Sequence, residues 1–202
     1  MAKKVIAIQG SYRKGRVSDS AVDAVLRGAE SAGAVTEKIY LIDQHIEFCD
    51  NCRACCQQPG EMRGKCAHKD DMDGILDKLE QADAMVFCSP MNAFTVTAVM
   101  KRFIERLTVY AYWPWSKAKA PGFRKKKTST KKAIVISSSA MPAIIGRIFA
   151  RNTLFLLKSL PAIFGVKRTQ TLYFGMVAQT PDSTLTDKQL RKCFEAGRRL
   201  VG

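Results

Sequence analysis

Short apolar runs alternate with helical patterns along this sequence, and that alternation is what most restricts its fold. The runs predict β-strands over 3–9, 35–42, 84–88, 132–137 and 169–176. Apolar residues spaced three and four apart predict helices over 18–32, 71–81, 95–110, 144–164 and 185–200. Because each right-handed crossover places its helix over the sheet, this order predicts a doubly wound α/β fold with a five-stranded parallel sheet. The expected strand order is 2-1-3-4-5, within one domain over 1–202.

Local signals mark the expected ends of several helices. Residues that can cap or charge a helix N-terminus precede three of them: Ser18 or Ser20, Asp70 with Asp71, and Thr184 or Thr186. Pro161 is expected to interrupt the helix over 144–164, because proline lacks the N–H that the helix needs.

The loop after the first strand has the composition of a phosphate site. Ligands of a doubly wound sheet bind beyond the carboxyl ends of its strands, near the point where the winding reverses. Ser11, Ser18 and Ser20 offer hydroxyl groups there, Arg13 offers a charged donor, and backbone N–H groups at the start of a helix complete the site. The rival interpretation is a simple turn that caps the helix.

Two further loops leave the same edge of the predicted sheet, over 89–94 and 137–142. The first offers N–H groups, a polar edge and an aromatic surface to a planar ring, and the second offers hydroxyls. Together with the first loop, they have the chemistry that flavin mononucleotide (FMN) needs, although each alone is also an ordinary polar turn. The candidate residues are Ser89, Pro90, Met91, Asn92, Ala93, Phe94, Ser138 and Ser139.

A cysteine-rich loop occupies 43–69. Cys49, Cys52 and Cys55 have the two-residue gaps of ferredoxin ligands, with Cys56 as an alternative third member and Cys66 as a distant fourth. This spacing favours a 4Fe-4S cluster, and structural zinc and free redox-active thiols stay open as alternatives. Cys88 and Cys193 fall in a strand and a helix, where core packing is the expected role.

These motifs, in this order, closely resemble those of the NADPH-dependent FMN reductase family, nearest its iron-sulfur flavoprotein branch. The motifs are Gly-Ser-x-Arg-Lys-Gly with Ser18, Cys-x-x-Cys-x-x-Cys, Gly-Lys-Cys followed by Asp-Asp-Met, and Ser-Pro-x-x-x-x-x-x-Thr-Ala-x-Met-Lys-x-Phe-Ile-x-Arg. The resemblance runs from about Lys3 to Arg106. Tyr12, Val17 and Asn92 depart from the family pattern, which usually has proline, asparagine and tyrosine there.

The resemblance implies a flavodoxin-like fold and an FMN-dependent oxidoreductase that takes hydride from NAD(P)H and passes electrons to an acceptor. It implies FMN phosphate binding by Ser11, Arg13 and Ser18, and places the Ser89–Pro90 loop beside the isoalloxazine. A homodimer or homotetramer is also implied. An iron-sulfur electron carrier without nicotinamide chemistry is the nearer alternative, and a basic nucleic-acid or membrane-surface binding module is the more distant one.

The basic excess of the chain is concentrated in one region. Lysine and arginine number 33 against 18 acidic residues, and eight of the basic ones fall between Lys117 and Lys132, within the loop 113–132. Such a segment would suit an acidic electron-transfer protein, the NADPH phosphate, nucleic acid or an anionic membrane, and a plain solvated loop is the rival. With neither a signal peptide nor a membrane span in the sequence, a cytoplasmic protein is expected.

One predicted helix carries both charge and apolar bulk. Helical spacing places the basic residues Arg147, Arg151 and Lys158 on one side of this helix. The apolar residues Ile145, Phe149 and Leu156 fall on the opposite side. An ordinary helix covering the sheet is one interpretation, and a membrane-surface or subunit contact is the other.

Overall fold

The sheet lies at the centre of the molecule and has the predicted order. The computed structural model describes residues 2–60, 62–116, 118, 120–124 and 129–202. The five parallel strands are β1 (Lys4–Gln9), β2 (Val35–Tyr40), β3 (Ala84–Cys88), β6 (Ser129–Ser138) and β7 (Val166–Phe174), in the order β2-β1-β3-β6-β7. The expected order 2-1-3-4-5 is therefore confirmed, because β4 (Ala111–Tyr112) and β5 (Gly122–Phe123) form a separate antiparallel pair.

Helices cover both faces of this sheet, as a doubly wound fold requires. They are α1 (Val17–Ser31), α2 (Met72–Gln81), α3 (Ala98–Arg106), α4 (Ala143–Phe149), α5 (Arg151–Ile163) and α6 (Asp187–Val201), with short 3-10 turns at Leu41–Asp43, Ala54–Cys56 and Leu107–Tyr110. Along β1, Ile6 and Ile8 enter the core shared with α2, α3 and α5, whereas Val5 and Ala7 enter the core shared with α1 and α6. Strands that are buried on both faces of a sheet have continuous apolar runs in their sequence. The strands could be predicted from the sequence for that reason.

The predicted helix over 144–164 is divided, although not at Pro161. The break lies at Ala150, and Pro161 sits inside the last turn of α5, where its missing N–H removes only one intrahelical bond. α4 approaches the end of β7 closely: a Cβ added at Gly146 would lie 2.3 Å from the Tyr173 hydroxyl.

The capping signals were only partly right. Thr186 caps α6 through a capping box with Gln189, as one of the two expected residues. Ser18 and Ser20 lie inside α1 instead, whose first flanking residue is Arg16, and no side chain caps this helix. In the part of the chain that the structure describes, no helix is both long and apolar enough to cross a bilayer.

Candidate functional site

The three predicted loops meet at one cavity beyond the carboxyl ends of β1, β3 and β6. Its volume is about 330 Å³. Eight of the predicted residues line it: Ser11, Arg13, Ser18, Pro90, Met91, Asn92, Ser138 and Ser139. The volume falls in the usual range of small-molecule sites. Ser20, Ser89, Ala93 and Phe94 are not among the lining residues.

The N-terminus of α1 opens onto this cavity without a cap. Arg16, Val17 and Ser18 line the cavity, and the first N–H groups of a helix have no partner inside the helix. Ser18 Oγ lies 3.2 Å from Ser138 Oγ, which joins the first loop to the third, whereas Ser20 Oγ donates to the Val17 carbonyl. Uncapped N–H groups and the helix dipole together favour a bound anion at this point.

The loop over 10–16 is held by short-range hydrogen bonds. Ser11 Oγ accepts the Arg13 N–H at 3.1 Å, and Gly15 takes the left-handed conformation (φ 68°) that lets the chain turn into α1. Tyr12, which departs from the family pattern, accepts the Ala98 N–H through its hydroxyl at 2.8 Å and so links this loop to the start of α3.

A fourth loop closes the cavity, and the sequence reasoning missed it. Thr180, Pro181 and Ser183 line the cavity, and they follow β7. Arg13 donates to the Pro181 carbonyl, and Arg16 pairs with Asp182. The signal was available, because the loop after the last parallel strand leaves the same edge of the sheet as the other three.

The loop after β3 combines a buried base with a strained tip. Ser89 is fully buried, and its hydroxyl accepts the Thr97 N–H at 3.1 Å. At the tip, Asn92 and Thr95 exchange two backbone hydrogen bonds of 2.9 Å around Ala93 and Phe94, which both have positive φ (45° and 62°). Non-glycine residues in this conformation store strain that is typical of ligand sites.

A larger cavity, of about 660 Å³, lies at the opposite, amino-terminal edge of the sheet. None of the predicted flavin residues lines it. Three lysines on its rim act on helix C-termini, since Lys3 donates to the Val201 carbonyl, Lys131 to the Glu80 carbonyl and Lys132 to the Gly202 carbonyl. A cation at a helix C-terminus interacts favourably with the negative end of the helix dipole. Part of the predicted basic segment therefore stabilises α2 and α6, and its residues Lys117, Lys119 and Lys125–Lys127 lie outside the described residues.

The cysteine-rich loop is attached to the segment that follows α3. Trp113 N–H donates to the Cys56 carbonyl at 2.9 Å, and Arg124 Nη2 donates to the Cys55 carbonyl at 2.9 Å. The Arg53 guanidinium lies over the Trp113 ring, 3.2 Å from its centroid. These contacts order a loop that has little regular structure of its own.

Two adjacent thiols of this loop lie near each other, and a third contacts Arg106. Cys55 Sγ is 3.6 Å from Cys56 Sγ, and burial with the Cys56 hydrogen bond raises the pKa of Cys55 to about 12. Cys66 Sγ accepts a hydrogen bond from Arg106 Nη2 at 3.4 Å. All seven cysteines are free, and within the described residues no three His, Cys, Asp or Glu side chains form a metal-binding group. Cys88 and Cys193 are buried in the core, as expected.

Arg106 joins this loop to α3. Its guanidinium pairs with Asp70 and donates to the Glu47 carbonyl at 2.9 Å, and both charged side chains are almost completely buried. Asp70, with Asp71, was expected to cap and charge the N-terminus of α2. It does accept the Met72 N–H at 3.0 Å, and its larger role is to pair with Arg106, while Asp71 accepts the His45 N–H instead of capping the helix.

Several buried donors around the cysteine loop have no acceptor. Arg53 Nε and Arg106 Nε are buried without a hydrogen-bond partner, and so is His68 Nε2, which lies 3.8 Å from Asp50 Oδ1, beyond hydrogen-bond distance. Unsatisfied buried donors of this kind are costly and call for an explanation. An anionic group held by the neighbouring thiols fits this donor set.

Comparison with known proteins identifies the family of this chain. The model of the NADPH-dependent FMN reductase family matches residues 3–152. An iron-sulfur flavoprotein of Archaeoglobus fulgidus is 34% identical over 119 residues, covering 59% of this chain and 52% of the relative. One from Methanocaldococcus jannaschii is 34% identical over 103 residues, covering 51% of each. The chain thus spans about half the length of these relatives.

Solved structures share the fold over the whole chain. An NAD(P)H:quinone oxidoreductase from Methanothermobacter marburgensis has a TM-score of 0.74 at 20% identity, covering 99% of this chain and 100% of the other. An FMN-dependent NADH-azoreductase from Bacillus anthracis, solved in complex with FMN, has a TM-score of 0.68 at 15% identity, covering 100% of each chain. The fold is flavodoxin-like, and the chain belongs to the NADPH-dependent FMN reductase family.

Proposed function

We propose that this protein is an FMN-dependent oxidoreductase that uses NAD(P)H as hydride donor and passes the electrons to a flavin, a quinone or an electron-transfer partner. The observation that carries the proposal is the uncapped N-terminus of α1, which opens into a cavity built from the three predicted loops. Membership of the FMN reductase family supports the choice of ligand. FMN, when bound, supplies the two-electron chemistry.

The residues present fit the phosphate of FMN. The hydroxyls of Ser11 and Ser18, the guanidinium of Arg13 and the first N–H groups of α1 would hold it, and Arg16 adds a second cation at the same mouth. Ser20 is less suited to phosphate binding, because its hydroxyl donates a hydrogen bond to the Val17 carbonyl.

The loops after β3 and β6 would orient the ring. Pro90, Met91 and Asn92 line the cavity beside Ser138 and Ser139, and Met91 N–H donates to the Ser138 carbonyl at 2.8 Å, which fixes the two loops together. Phe94 stands half-exposed at the strained tip, where it can exclude water from the ring edge. Ser89, which is buried at the base of this loop, stabilises it by accepting the Thr97 N–H. No residue of the site has to act as an acid or base in hydride transfer.

We further propose that the cysteine loop holds a 4Fe-4S cluster on Cys49, Cys52, Cys55 and Cys66. Ferredoxin-like spacing and the unsatisfied donors of Arg53, His68 and Arg106 support an anionic centre there. Zinc on the same thiols, or free thiols, are the alternatives. With a cluster, an electron carrier becomes the second candidate function, and the likeness to iron-sulfur flavoproteins favours it.

A homo-oligomer is proposed from an exposed apolar surface. Leu157 and Leu160 of α5 pack into the core against the sheet. The outer surface of the helix pair is nevertheless apolar, since about half or more of each of these side chains is exposed: Ile144, Ile145, Ile148, Phe149 and Phe155. A surface of this kind marks a contact site. The homodimer is favoured over the homotetramer as the simplest closed assembly. A membrane or nucleic acid is less favoured, and an acidic electron-transfer protein would suit the net charge of +15.

Anaerobic purification followed by absorbance spectroscopy tests the assignment. We expect flavin bands, one FMN released per chain on denaturation, and loss of the flavin bands on addition of NADPH. A colourless protein that takes up no FMN on reconstitution contradicts the proposal. Flavin bands that NADPH leaves unchanged and dithionite removes would favour the carrier. Iron and sulfide assays test the cluster separately. A 4Fe-4S cluster requires four iron ions and four sulfide ions per chain, and their absence contradicts it.

A further inference from the structure

We propose that Asp19 is a positioning residue that fixes the loop over 10–16 and thereby sets the preference of the protein for a phosphorylated flavin over the same flavin without phosphate. The inference rests on the proposed FMN site and concerns residues that do not line the cavity. It assigns a role to a buried carboxylate that the site chemistry described above does not use.

Asp19 is a charged residue in the first turn of α1, yet only 3% of its surface is exposed. Its Oδ2 accepts the Gly15 N–H at 2.6 Å and the Tyr40 hydroxyl at 3.0 Å. Its Oδ1 accepts Lys38 Nζ at 2.8 Å and Gln9 Nε2 at 3.4 Å. A carboxylate with every lone-pair direction in use is a rigid point of attachment.

Both ends of the loop depend on this carboxylate. The C-terminal end is held directly, through the Gly15 N–H, at the residue whose left-handed conformation makes the turn. The N-terminal end is held through Gln9, whose Oε1 accepts the Ser11 N–H at 3.4 Å while its Nε2 donates to Asp19. With the two ends fixed, Ser11 Oγ, Arg13 and Ser18 face the cavity together.

A bare negative charge beside an anion site would oppose phosphate binding, and Lys38 reduces that repulsion. Lys38 Nζ pairs with both Asp19 and Asp23, and its side chain is mostly buried. Burial alone would raise the pKa of Asp19, but the Lys38 and Gly15 hydrogen bonds outweigh it and hold that pKa below its ordinary value. Asp19 therefore stays ionised, and Lys38, which it shares with Asp23, offsets part of its charge.

Tyr40 connects this network to the loop from the other side. Its ring lies between two ammonium groups, 4.8 Å from Lys14 Nζ and 4.7 Å from Lys38 Nζ. Lys14 belongs to the loop and also pairs with Asp43. Asp19, Lys38 and Tyr40 are absent from the lining of the cavity, so they hold no ligand by direct contact and position its donors through the loop.

Preorganised donors gain affinity because the loop does not have to be ordered when the ligand binds. That gain applies to the phosphate alone, since the ring and the ribityl chain are held elsewhere. FMN and riboflavin differ only by this phosphate, so the ratio of their dissociation constants isolates the contribution of the loop.

The test compares Asp19→Asn with the matched control Asp23→Asn. Asp19 and Asp23 both lie in α1, and each substitution removes a carboxylate that pairs with Lys38. Only Asp19 also accepts a hydrogen bond from the loop, through the Gly15 N–H. Apoprotein of each variant is titrated with FMN and with riboflavin by flavin fluorescence. We expect Asp19→Asn to reduce the FMN preference by about tenfold, the loss of roughly one charge-assisted hydrogen bond, and Asp23→Asn to retain it.

Each result bears on one proposal. A wild-type protein that binds FMN and riboflavin equally overturns the proposed phosphate site. A wild-type preference that Asp19→Asn leaves intact overturns the role of Asp19 and leaves the FMN site standing. If circular dichroism shows that Asp19→Asn is unfolded, Tyr40→Phe, which removes one hydroxyl from the same carboxylate, decides: a reduced FMN preference supports the inference and an unchanged one rejects it.

Discussion

Arg106 stabilises the protein through a buried ion pair, in which its guanidinium stays positively charged. It is buried with Asp70, and removing one partner of a buried pair leaves the other charge without compensation. We expect Arg106→Met to lower the free energy of unfolding by about 3–5 kcal/mol. Urea unfolding of the single variants and of Asp70→Asn/Arg106→Met provides a double-mutant cycle, in which the double variant should lose less than the sum. Additive losses would show that the two side chains are not coupled.

Asp70 also gives stability an acid dependence. Burial alone would raise its pKa, but the Arg106 ion pair and the N–H groups of Glu47 and Met72 hold it below the ordinary value of 3.8. A lowered folded-state pKa contributes stability that is present above 3.8 and is lost as the pH falls through the folded value. Unfolding free energies measured from pH 6 down to pH 3 should therefore fall less steeply in Asp70→Asn than in the wild type. Parallel curves would contradict the assignment.

At the level of elements, α1 and α6 pack at a distance that only glycine allows. A Cβ added at Gly28 would lie 2.0 Å from the Phe194 carbonyl oxygen, and one at Gly197 would lie 1.9 Å from that of Val25. We expect Gly28→Ala to separate the helices and lower the free energy of unfolding by about 1–3 kcal/mol. Gly74→Ala is the control, because Gly74 lies in α2 with no atom within 4 Å of its added Cβ.

That control should have the opposite sign. Alanine is favoured over glycine by about 0.8–1.0 kcal/mol in a helix interior, and Gly74 lies in the first turn of α2, so Gly74→Ala is expected to be stabilising by less than that amount. Thermal unfolding of both variants tests the pair, and destabilisation by Gly74→Ala would contradict the expectation.

The elements themselves were predictable where one periodicity governed the whole segment. β1 and β3 are apolar on both faces, and α2 and α6 have a clear apolar stripe, so their bounds were close. The break at Ala150 was not predictable, because no proline or glycine marks that position, and it lies four residues after Gly146, which packs closely against Tyr173 of β7. Tertiary packing decided the geometry there, and the local proline signal did not.

The same distinction applies to the candidate site. The loops at Ser11, Pro90 and Ser138 could be placed together from the topology alone, since parallel strands end at one edge. The absence of a cap on α1 could not be foreseen, because Ser18 has the right residue type for a cap and lies inside the helix instead. Nor could the burial of Asp19, whose partners Lys38 and Tyr40 come from the neighbouring strand β2.

At the scale of the whole molecule, the two edges of the sheet carry different tasks. The carboxyl edge gathers the loops of the cavity, whereas at the amino edge Lys3, Lys131 and Lys132 neutralise the ends of helices. The net charge of +15 is thus partly structural. A docking role for the basic region would rest on its other lysines, which lie outside the described residues, and the salt dependence of partner binding would measure it.

The apolar surface of α4 and α5 borders the carboxyl edge, which connects assembly to the site. Phe149 on α4 packs against Phe94 at the tip of the loop after β3, with ring centroids 5.9 Å apart. We expect Ile148→Asp, at a side chain 63% exposed, to weaken self-association by at least about 2 kcal/mol, or roughly 30-fold. Sedimentation equilibrium measures it, and Val35→Asp is the control, because Val35 is 61% exposed on the edge strand β2, away from this surface. If Ile148→Asp associates as the wild type does while Val35→Asp does not, the interface lies along β2 and the surface near Phe94 is left free for the electron acceptor.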